Sequence, residues 1–256
     1  MLKIENFEVM GWEHAIRGMR NPMNSWAKSD SERMYDSWHD MSGGYMNIGP
    51  NDHQLMMSLA KGGPVHAKYR RMITVYLDIT APLYWWKEFD IYKVGTVANS
   101  CSTMHKIHAK EFTLEDFSCE HLMCIDIDHN NEDDVPVVDI SPYRDGTVFY
   151  SPTGLMNCQI EMLNACRKKY LEAKTKPMKD ESKRADLMKK YWWQMIQLLP
   201  SSYNQKRTVM LNYEVLHNIY ESRRHHKLDE WHTLCDWIEE LPYSEIITGK
   251  FEDPSN

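Results

Sequence analysis

The chain has 256 residues, 30 Lys and Arg against 37 Asp and Glu, a formal charge of −7, and 42% hydrophobic and 26% charged residues. These values exclude a disordered chain, a collagen-like chain and a simple polybasic nucleic-acid binder, and the length suffices for one large domain or two small ones. The surplus lies in Met (18) and Trp (9), and Trp in particular lines ligand and subunit surfaces.

In chain order, Lys3 to Val9 alternates loosely and predicts a strand. Trp12 to Met19 predicts a short helix ended by Asn21-Pro22, before polar, Gly-rich chain to Pro50. Asp52 is placed to cap a helix to about Lys61, stopped by Gly62-Gly63-Pro64. Tyr69 to Ile79 is the best strand, rich in β-branched and aromatic residues. Pro82 suits the first turn of a helix through Leu83-Tyr84-Trp85-Trp86, and Thr113 with Asp116 forms a capping pair for a short helix. The next segment, with Pro136 and Pro142, predicts a long loop with a strand at Val135 to Ile140. Met156, Ile160, Leu163, Cys166 and Tyr170 recur at helical spacing, as do Leu187, Tyr191, Met195 and Leu198 before Leu199-Pro200. Further helices are predicted from about Lys206 to Arg223 and from Leu228 to Leu241. Strands and helices first, then mostly helices, define an α+β class.

Charge is uneven. Asp126 to Asp145 holds seven acids and one base, Arg144, while Arg167 to Lys190 holds ten bases and four acids. Such runs form solvated faces, pair with each other, or offer a strip to an anionic partner. The apolar stripe through the basic run and the net acidity argue against nucleic acid as that partner. Neither a basic-then-apolar start nor a run of 18 apolar residues is present, so the expectation is a cytoplasmic protein without a membrane span. The six cysteines, irregularly spaced, are expected as reduced thiols. Cys119, His121 and Cys124 lack a second pair at zinc spacing, so no metal is expected.

No Gly-rich phosphate loop and no Gly-x-Ser-x-Gly elbow occurs. Cys101 is read as a buried or half-buried thiol rather than a nucleophile. Two segments carry candidate chemistry. In Lys93 to His105, small hydroxyl and amide residues crowd around Gly95, and Lys93, Thr96, Asn99, Ser102, His105 and His108 recur at every third position. These groups suit phosphate or ribose oxygens, or else form a polar turn that caps the next helix. In Leu211 to Arg223, Asn212 and Arg223 are eleven residues apart, which on a helix puts them on one stripe about 16 Å apart. The Trp85–Trp86 pair either stacks on a ligand ring or packs in a core or subunit contact.

Taken in this order, the segments resemble the flavin-dependent thymidylate synthases, the ThyX family. The likeness runs through Phe7 to Arg20, Gly62-Gly63-Pro64-Val65-His66 and the strand to Ile79, Ala81 to Glu88, the polar segment after it, Leu199-Pro200-Ser201-Ser202-Tyr203, and Asn212 to Arg223. The family's flavin signature, Arg-His-Arg-x-x-Ser followed by Asn, Ser and Arg, is eroded here. Ile91-Tyr92-Lys93 stands for Arg-His-Arg, Thr96 for Ser, Asn99 and Ser102 for the later Asn and Ser after one inserted residue, and Met104 for the last Arg. Near the C-terminus Asn212 and Arg223 match, Glu214 replaces an Arg, and Glu230-Trp231-His232 only loosely matches the family's Gln-x-Glu. Replacing Arg by Ile removes a cation and a bidentate donor fork, and Lys93 restores only the charge.

The resemblance implies one domain over residues 1–256 with an acidic insertion at about 126–150. It implies a twisted, mainly antiparallel sheet flanked by helices, with a helical C-terminal half. It implies a homotetrameric flavoprotein of nucleotide biosynthesis, a transferase that methylates or hydroxymethylates a pyrimidine nucleotide such as dUMP with FAD, NADPH and methylenetetrahydrofolate. Lys93, Thr96, Asn99, Asn212 and His66 would then face the flavin, and Ser102, Arg223 and Arg71 the nucleotide, with catalytic residues unassigned. The alternative is a non-catalytic protein of the same fold that binds a nucleotide or nucleotide-derived ligand at subunit interfaces.

Overall fold

The computed structural model describes residues 2–37, 40–124, 136, 138–140, 148–177 and 180–250. Its elements run β1 (Lys3–Met10), α1 (Trp12–Arg20), β2 (Glu32–Ser37), β3 (Asp40–Asn47), α2 (Pro50–Lys61), β4 (Thr74–Pro82), α3 (Leu83–Phe89) and β5 (Val97–Ser100). They continue with β6 (Val138–Ile140), β7 (Val148–Tyr150), α4 (Pro152–Thr175), α5 (Glu181–Leu198), β8 (Asn204–Asn212), α6 (Tyr213–Arg223), α7 (Asp229–Glu239) and α8 (Glu245–Thr248). The fold is α+β, with a four-stranded antiparallel sheet in the order β1-β4-β8-β5, flanking helices and a helical C-terminal half. Two further two-stranded sheets pair β2 with β3 and β6 with β7. Among the described residues, no helix is long and apolar enough to cross a membrane.

The chain forms two compact units. The first comprises Leu2–Thr80, Lys87–Asn99 and Lys206–Asn256. Its sheet arises from alternation. Val75, Leu77 and Ile79 on β4 and Val209 and Leu211 on β8 are buried, while Tyr76 on β4 is exposed, as a sheet covered on one face requires. The other face is polar. Asp78 accepts from Asn6 and from Thr208, and Lys206 reaches both Glu5 and Asp78 at 3.3 Å. The Thr208 and Asn6 hydrogen bonds hold the Asp78 carboxyl below the usual carboxylate range. Also buried in this unit are Ala15, Ile16 and Met19 of α1, Leu216 and Ile219 of α6, and Trp231, Leu234 and Ile238 of α7.

The second unit comprises Ala81–Trp86 and Ser100–Gln205 with Met1. Its long helices α4 and α5 pack on each other, and Leu163 and Met195 join Ile107, Phe112 and Phe117 in one apolar cluster. Both helices carry a side-chain N-cap. Ser151 accepts from Gly154 N ahead of Pro152, and Asp180 accepts from Ser182 N and Lys183 N. Trp85 and Trp86 are fully buried here, edge to face at 5.0 Å, with Trp86 Nε1 donating to Gln205 O. The pair is core, which settles the two readings in favour of packing. The described part of the basic run lies on the end of α4 and the start of α5, where Lys169 pairs with Glu172, Lys183 with Asp180 and Arg184 with Glu181.

Several expectations are corrected. The helix expected from about Lys206 is strand β8 as far as Asn212, and only Tyr213–Arg223 is helical. The polar chain before Pro50 contains the β2–β3 hairpin. The strand expected from Tyr69 starts at Thr74, because Lys68–Met72 is a 3-10 turn. Asp52 does not cap α2, whose N-cap is Gly49 with Pro50 next. It is instead a buried hub that accepts from Arg20 Nε at 2.6 Å, from the Ser29 and Ser31 hydroxyls and from two backbone N–H groups. Burial alone would raise its pKa, but the two serine bonds and Arg20 outweigh it and the carboxyl sits below its ordinary value. The Thr113–Asp116 capping box is present, on a 3-10 turn. Of the strand expected at Val135 to Ile140, β6 accounts for Val138–Ile140, and most of the acidic run lies outside the described residues. None of the six cysteines is in a disulfide, and Cys101, expected buried or half-buried, is exposed because it follows the exposed edge strand β5.

Candidate functional site

Within the first unit, the segment after α3 and helix α6 carry most of the predicted residues. Strand β8 ends where Asn212 turns its side chain back to accept from Glu214 N and Val215 N, both at 3.1 Å. Asn212 is therefore the N-cap of α6 rather than a residue on its stripe. Its amide nitrogen faces Gly95, where φ is +82° and an added Cβ would lie 2.8 Å from Asn212 Nδ2 and 3.3 Å from Val215 Cγ2. Only glycine fits this approach without strain. The approach sets the Lys93-to-Thr96 turn on the N-terminal end of α6. Lys93 is exposed, and the Thr96 Oγ1 atom is buried with no hydrogen-bond partner among the described residues.

The C-terminal end of α6 is different. Arg223 Nη1 donates to Glu88 Oε2 at 2.8 Å, and Nε donates to Tyr92 Oη at 3.0 Å. Its guanidinium carbon lies 4.8 Å from the centre of the Trp231 ring. Trp231 Nε1 donates to the same Glu88 oxygen at 3.1 Å, and His226 Nε2 is 3.4 Å from it. Tyr92 Oη is 2.7 Å from Ser222 Oγ, which itself donates to Asn218 O. With the Ser222 proton so used, Tyr92 is the donor to Ser222, and a directed chain runs from Arg223 through Tyr92 and Ser222 into the helix backbone. Arg223 is thus held by a carboxylate, a phenol and an indole face.

Glu214, the anion at a position where the resemblance implies an Arg, is buried and lies 2.9 Å from Nε of the buried Arg70, whose Nη1 also donates to Ile246 O. The two charges cancel inside the unit, as buried charges must. Burial pushes the neighbouring Tyr69 hydroxyl well above its ordinary range, and it donates to Met56 O. Arg71, the next residue on the same turn, is exposed, and the turn packs against α6.

The structure therefore brings Lys93, Thr96 and Asn212 together at one end of α6, sets Arg71 on a turn packed beside it, and puts Arg223 at the other end. His66 remains in the exposed turn after α2, its N–H donating to Gly63 O. Asn99 stands in the exposed edge strand β5. Ser102 belongs to the second unit, where its Oγ accepts from Met104 N and His105 N and lies 2.9 Å from His105 Nδ1. The every-third-residue pattern from Lys93 to His108 is a turn, a short strand and further turns, not a helix. Sequence reasoning missed Glu88, Tyr92 and Trp231 as partners of Arg223, and Arg70 as partner of Glu214. A cavity of about 750 Å³ in the first unit is lined by Arg17, Trp26, Arg33 and others, but its Arg20, Ser29 and Ser31 are spent on Asp52.

No protein-family model matches the sequence, and no curated protein is similar to it. Among solved structures, the chain is similar to thymidylate synthase X (ThyX) from Helicobacter pylori with FAD and dUMP, at 14% identity and a TM-score of 0.55 over 98% of each chain. A second structure of the flavin-dependent thymidylate synthase ThyX from the same organism, complexed with FAD and dUMP, matches at 14% identity and a TM-score of 0.53 over 97% of each chain. At this identity the likeness establishes the fold, an α+β fold of the ThyX kind.

Proposed function

We propose that the protein is a divergent flavin-dependent thymidylate synthase-like enzyme, methylating or hydroxymethylating a pyrimidine nucleotide of the dUMP type with reduced FAD and a folate one-carbon donor. The proposal includes NADPH as reductant, methylenetetrahydrofolate as donor, a single domain over residues 1–256 and a homotetramer. The observation that carries it is the cluster at the N-terminal end of α6. An exposed Lys93 and a Thr96 hydroxyl that is buried without a hydrogen-bond partner among the described residues belong to the turn that Gly95 sets against the Asn212 amide nitrogen, at the positive end of the α6 dipole, which favours an anion. Those donors fit a phosphoryl group of a dinucleotide, and FAD when bound would supply the redox chemistry that no side chain here can. Asn99, His66, Arg71 and Ser102 complete the proposed set of ligand residues. The test is an absorbance spectrum of purified full-length protein before and after reconstitution with excess FAD. Retained flavin, reduced by NADPH and then reoxidised in the absence of oxygen only when both dUMP and methylenetetrahydrofolate are present, is the expected result. No flavin under either condition would sink the enzyme reading.

A second reading is favoured by the other end of the helix. Arg223 is bound to Glu88, and Glu214 to Arg70, so two positions the resemblance assigns to nucleotide chemistry are engaged within the chain. This reading makes the protein a non-catalytic nucleotide binder of the same fold. Mass spectrometry of small molecules released from the purified protein tests it, and a preparation containing nothing nucleotide-like counts against it.

A further inference from the structure

Strand β1 is an edge of the four-stranded sheet, and β4 is its one strand neighbour among the described residues. Its first half is blunted. The register with β4 shifts between Glu5 and Glu8, where Asn6 takes a φ of +52°, and such a bulge protects an edge from further pairing. From Phe7 to Met10 that protection stops. A cavity of about 710 Å³ has as its walls each residue from Phe7 to Met10 in succession, together with Tyr45, Met46 and Asn47 of β3. Neighbouring side chains of a strand point to opposite faces, so a wall made of every residue in a run is the edge of the strand. Phe7, Met10 and Tyr45 are large apolar side chains left exposed along it.

The groove continues past Met10. It shares Glu13, Arg33 and Met46 with the cavity of about 750 Å³ that holds Arg17 and Trp26. Its walls are braced. Tyr243 packs edge to face on Trp12 at 5.3 Å and its hydroxyl accepts from Ile48 N at 3.1 Å, while Trp26 Nε1 donates to Asn21 Oδ1 at 2.8 Å. Charge is graded along it. Exposed Glu8 stands at the β1 end. At the far end Arg17 is exposed and makes no hydrogen bond or ion pair among the described residues. Between them Arg33 and Glu13 meet at 3.9 Å, both more than half exposed, a kind of pair that contributes little and yields readily.

We propose that this groove binds an extended peptide segment of a partner protein by strand addition. The peptide lies antiparallel to Phe7–Met10, its main chain hydrogen-bonded to the N–H and C=O groups that β1 turns away from β4, and its apolar side chains cover Phe7, Met10 and Tyr45. Charge sets the occupant and its direction. An acidic N-terminal end meets Arg17, and a basic C-terminal end meets Glu8. Six residues, about 20 Å when extended, follow the groove from one charge to the other. The inference stands apart from the function proposed above, because it uses neither flavin nor the α6 cluster.

The experiment titrates the full-length protein with the acetylated, amidated hexapeptide Asp-Glu-Val-Thr-Val-Lys, followed by calorimetry and by hydrogen exchange of the β1 amides. Saturable binding is expected, with exchange at the outward-facing amides of Phe7–Met10 slowed about tenfold or more. The charge-reversed peptide Lys-Lys-Val-Thr-Val-Glu is expected to bind about fivefold more weakly, and Arg17→Ser, a change at an exposed site, to reduce that preference. Two further analogues, N-methylated at both Val residues or at Glu and Thr, separate strand addition from charge attraction. Only one of these alternating sets of N–H groups faces β1, so one analogue is expected to bind like the parent and the other to lose binding. No binding of the parent peptide, binding that leaves the Phe7–Met10 amides unchanged, equal affinity for the two charge patterns, or equal effects of the two methylations overturns the proposal. Protection of those amides in the protein alone that falls on dilution assigns the edge to a second copy of this chain and overturns it as well.

Discussion

The two ends of α6 carry the same kinds of residue and use them in opposite ways. At the N-terminal end, Asn212 spends its oxygen on the helix and turns its nitrogen to Gly95, leaving a buried Thr96 hydroxyl and an exposed Lys93 beside the positive end of the helix dipole. At the C-terminal end, Arg223 is claimed by Glu88, Tyr92 and Trp231 together. Between them, Glu214 is neutralised by Arg70. The difference shows that a residue type at a family position does not define a ligand group. What decides is whether the rest of the chain has already satisfied it.

The sharpest way to break this comparison is the Arg70–Glu214 pair. With Glu214 replaced by Leu, Arg70 is left as an unpaired charge in the core, and a loss of about 3–5 kcal/mol in unfolding free energy is expected. The double substitution Arg70→Met with Glu214→Leu removes both charges and is expected to restore most of that stability. Urea denaturation of the three proteins checks it. If Glu214→Leu is nearly neutral, Glu214 is not committed inside the unit and must be reconsidered as a group facing ligand.

A smaller effect tests the N-terminal end. Gly95→Ala places a Cβ against Asn212 in a backbone conformation that L-residues avoid, and a loss of about 1–2 kcal/mol is expected. Asn212→Ala removes the cap and is expected to cost about 1 kcal/mol. Because the two residues touch, the double substitution should cost less than the two single losses added together. Thermal melts of the three variants measure this, and strict additivity would show that the loop and the cap are independent.

Much of this fold is legible in the sequence. Helices α4 and α5 announce themselves by long apolar stripes, though their caps at Ser151 and Asp180 come only from the structure, and the period-2 burial of β4 reflects its β-branched residues. Strand β8 reads as helix for a physical reason. Its buried residues Val209 and Leu211 run directly into Leu216, Ile219 and Tyr220 of α6, and the change of period falls at Asn212, whose role as a cap depends on geometry. The site is harder. Asn212, Lys93 and Thr96 can be named from spacing and resemblance, but the partners that decide the fate of Arg223 and Glu214 cannot. Glu88 is 135 residues from Arg223, and Arg70 is 144 from Glu214, and no local pattern links positions so far apart.

The smallest structural change carries the most direct functional reading. Glu88→Gln keeps the size and an oxygen able to accept from Arg223 Nη1 and Trp231 Nε1, but removes the negative charge. Glu88 is partly exposed, so its ion pair contributes modestly and a stability change within about 1 kcal/mol is expected. The charge on Arg223 is then uncompensated, while Tyr92 and Trp231 still hold it in place. Calorimetry with dUMP and with inorganic phosphate is expected to show about tenfold tighter binding than wild type, a gain that shrinks as salt is raised. Such a gain would mean that the two ends of α6 differ by one carboxylate. Unchanged affinity would mean that the C-terminal end is structural and that anion binding in this unit belongs to the Lys93–Thr96–Asn212 end.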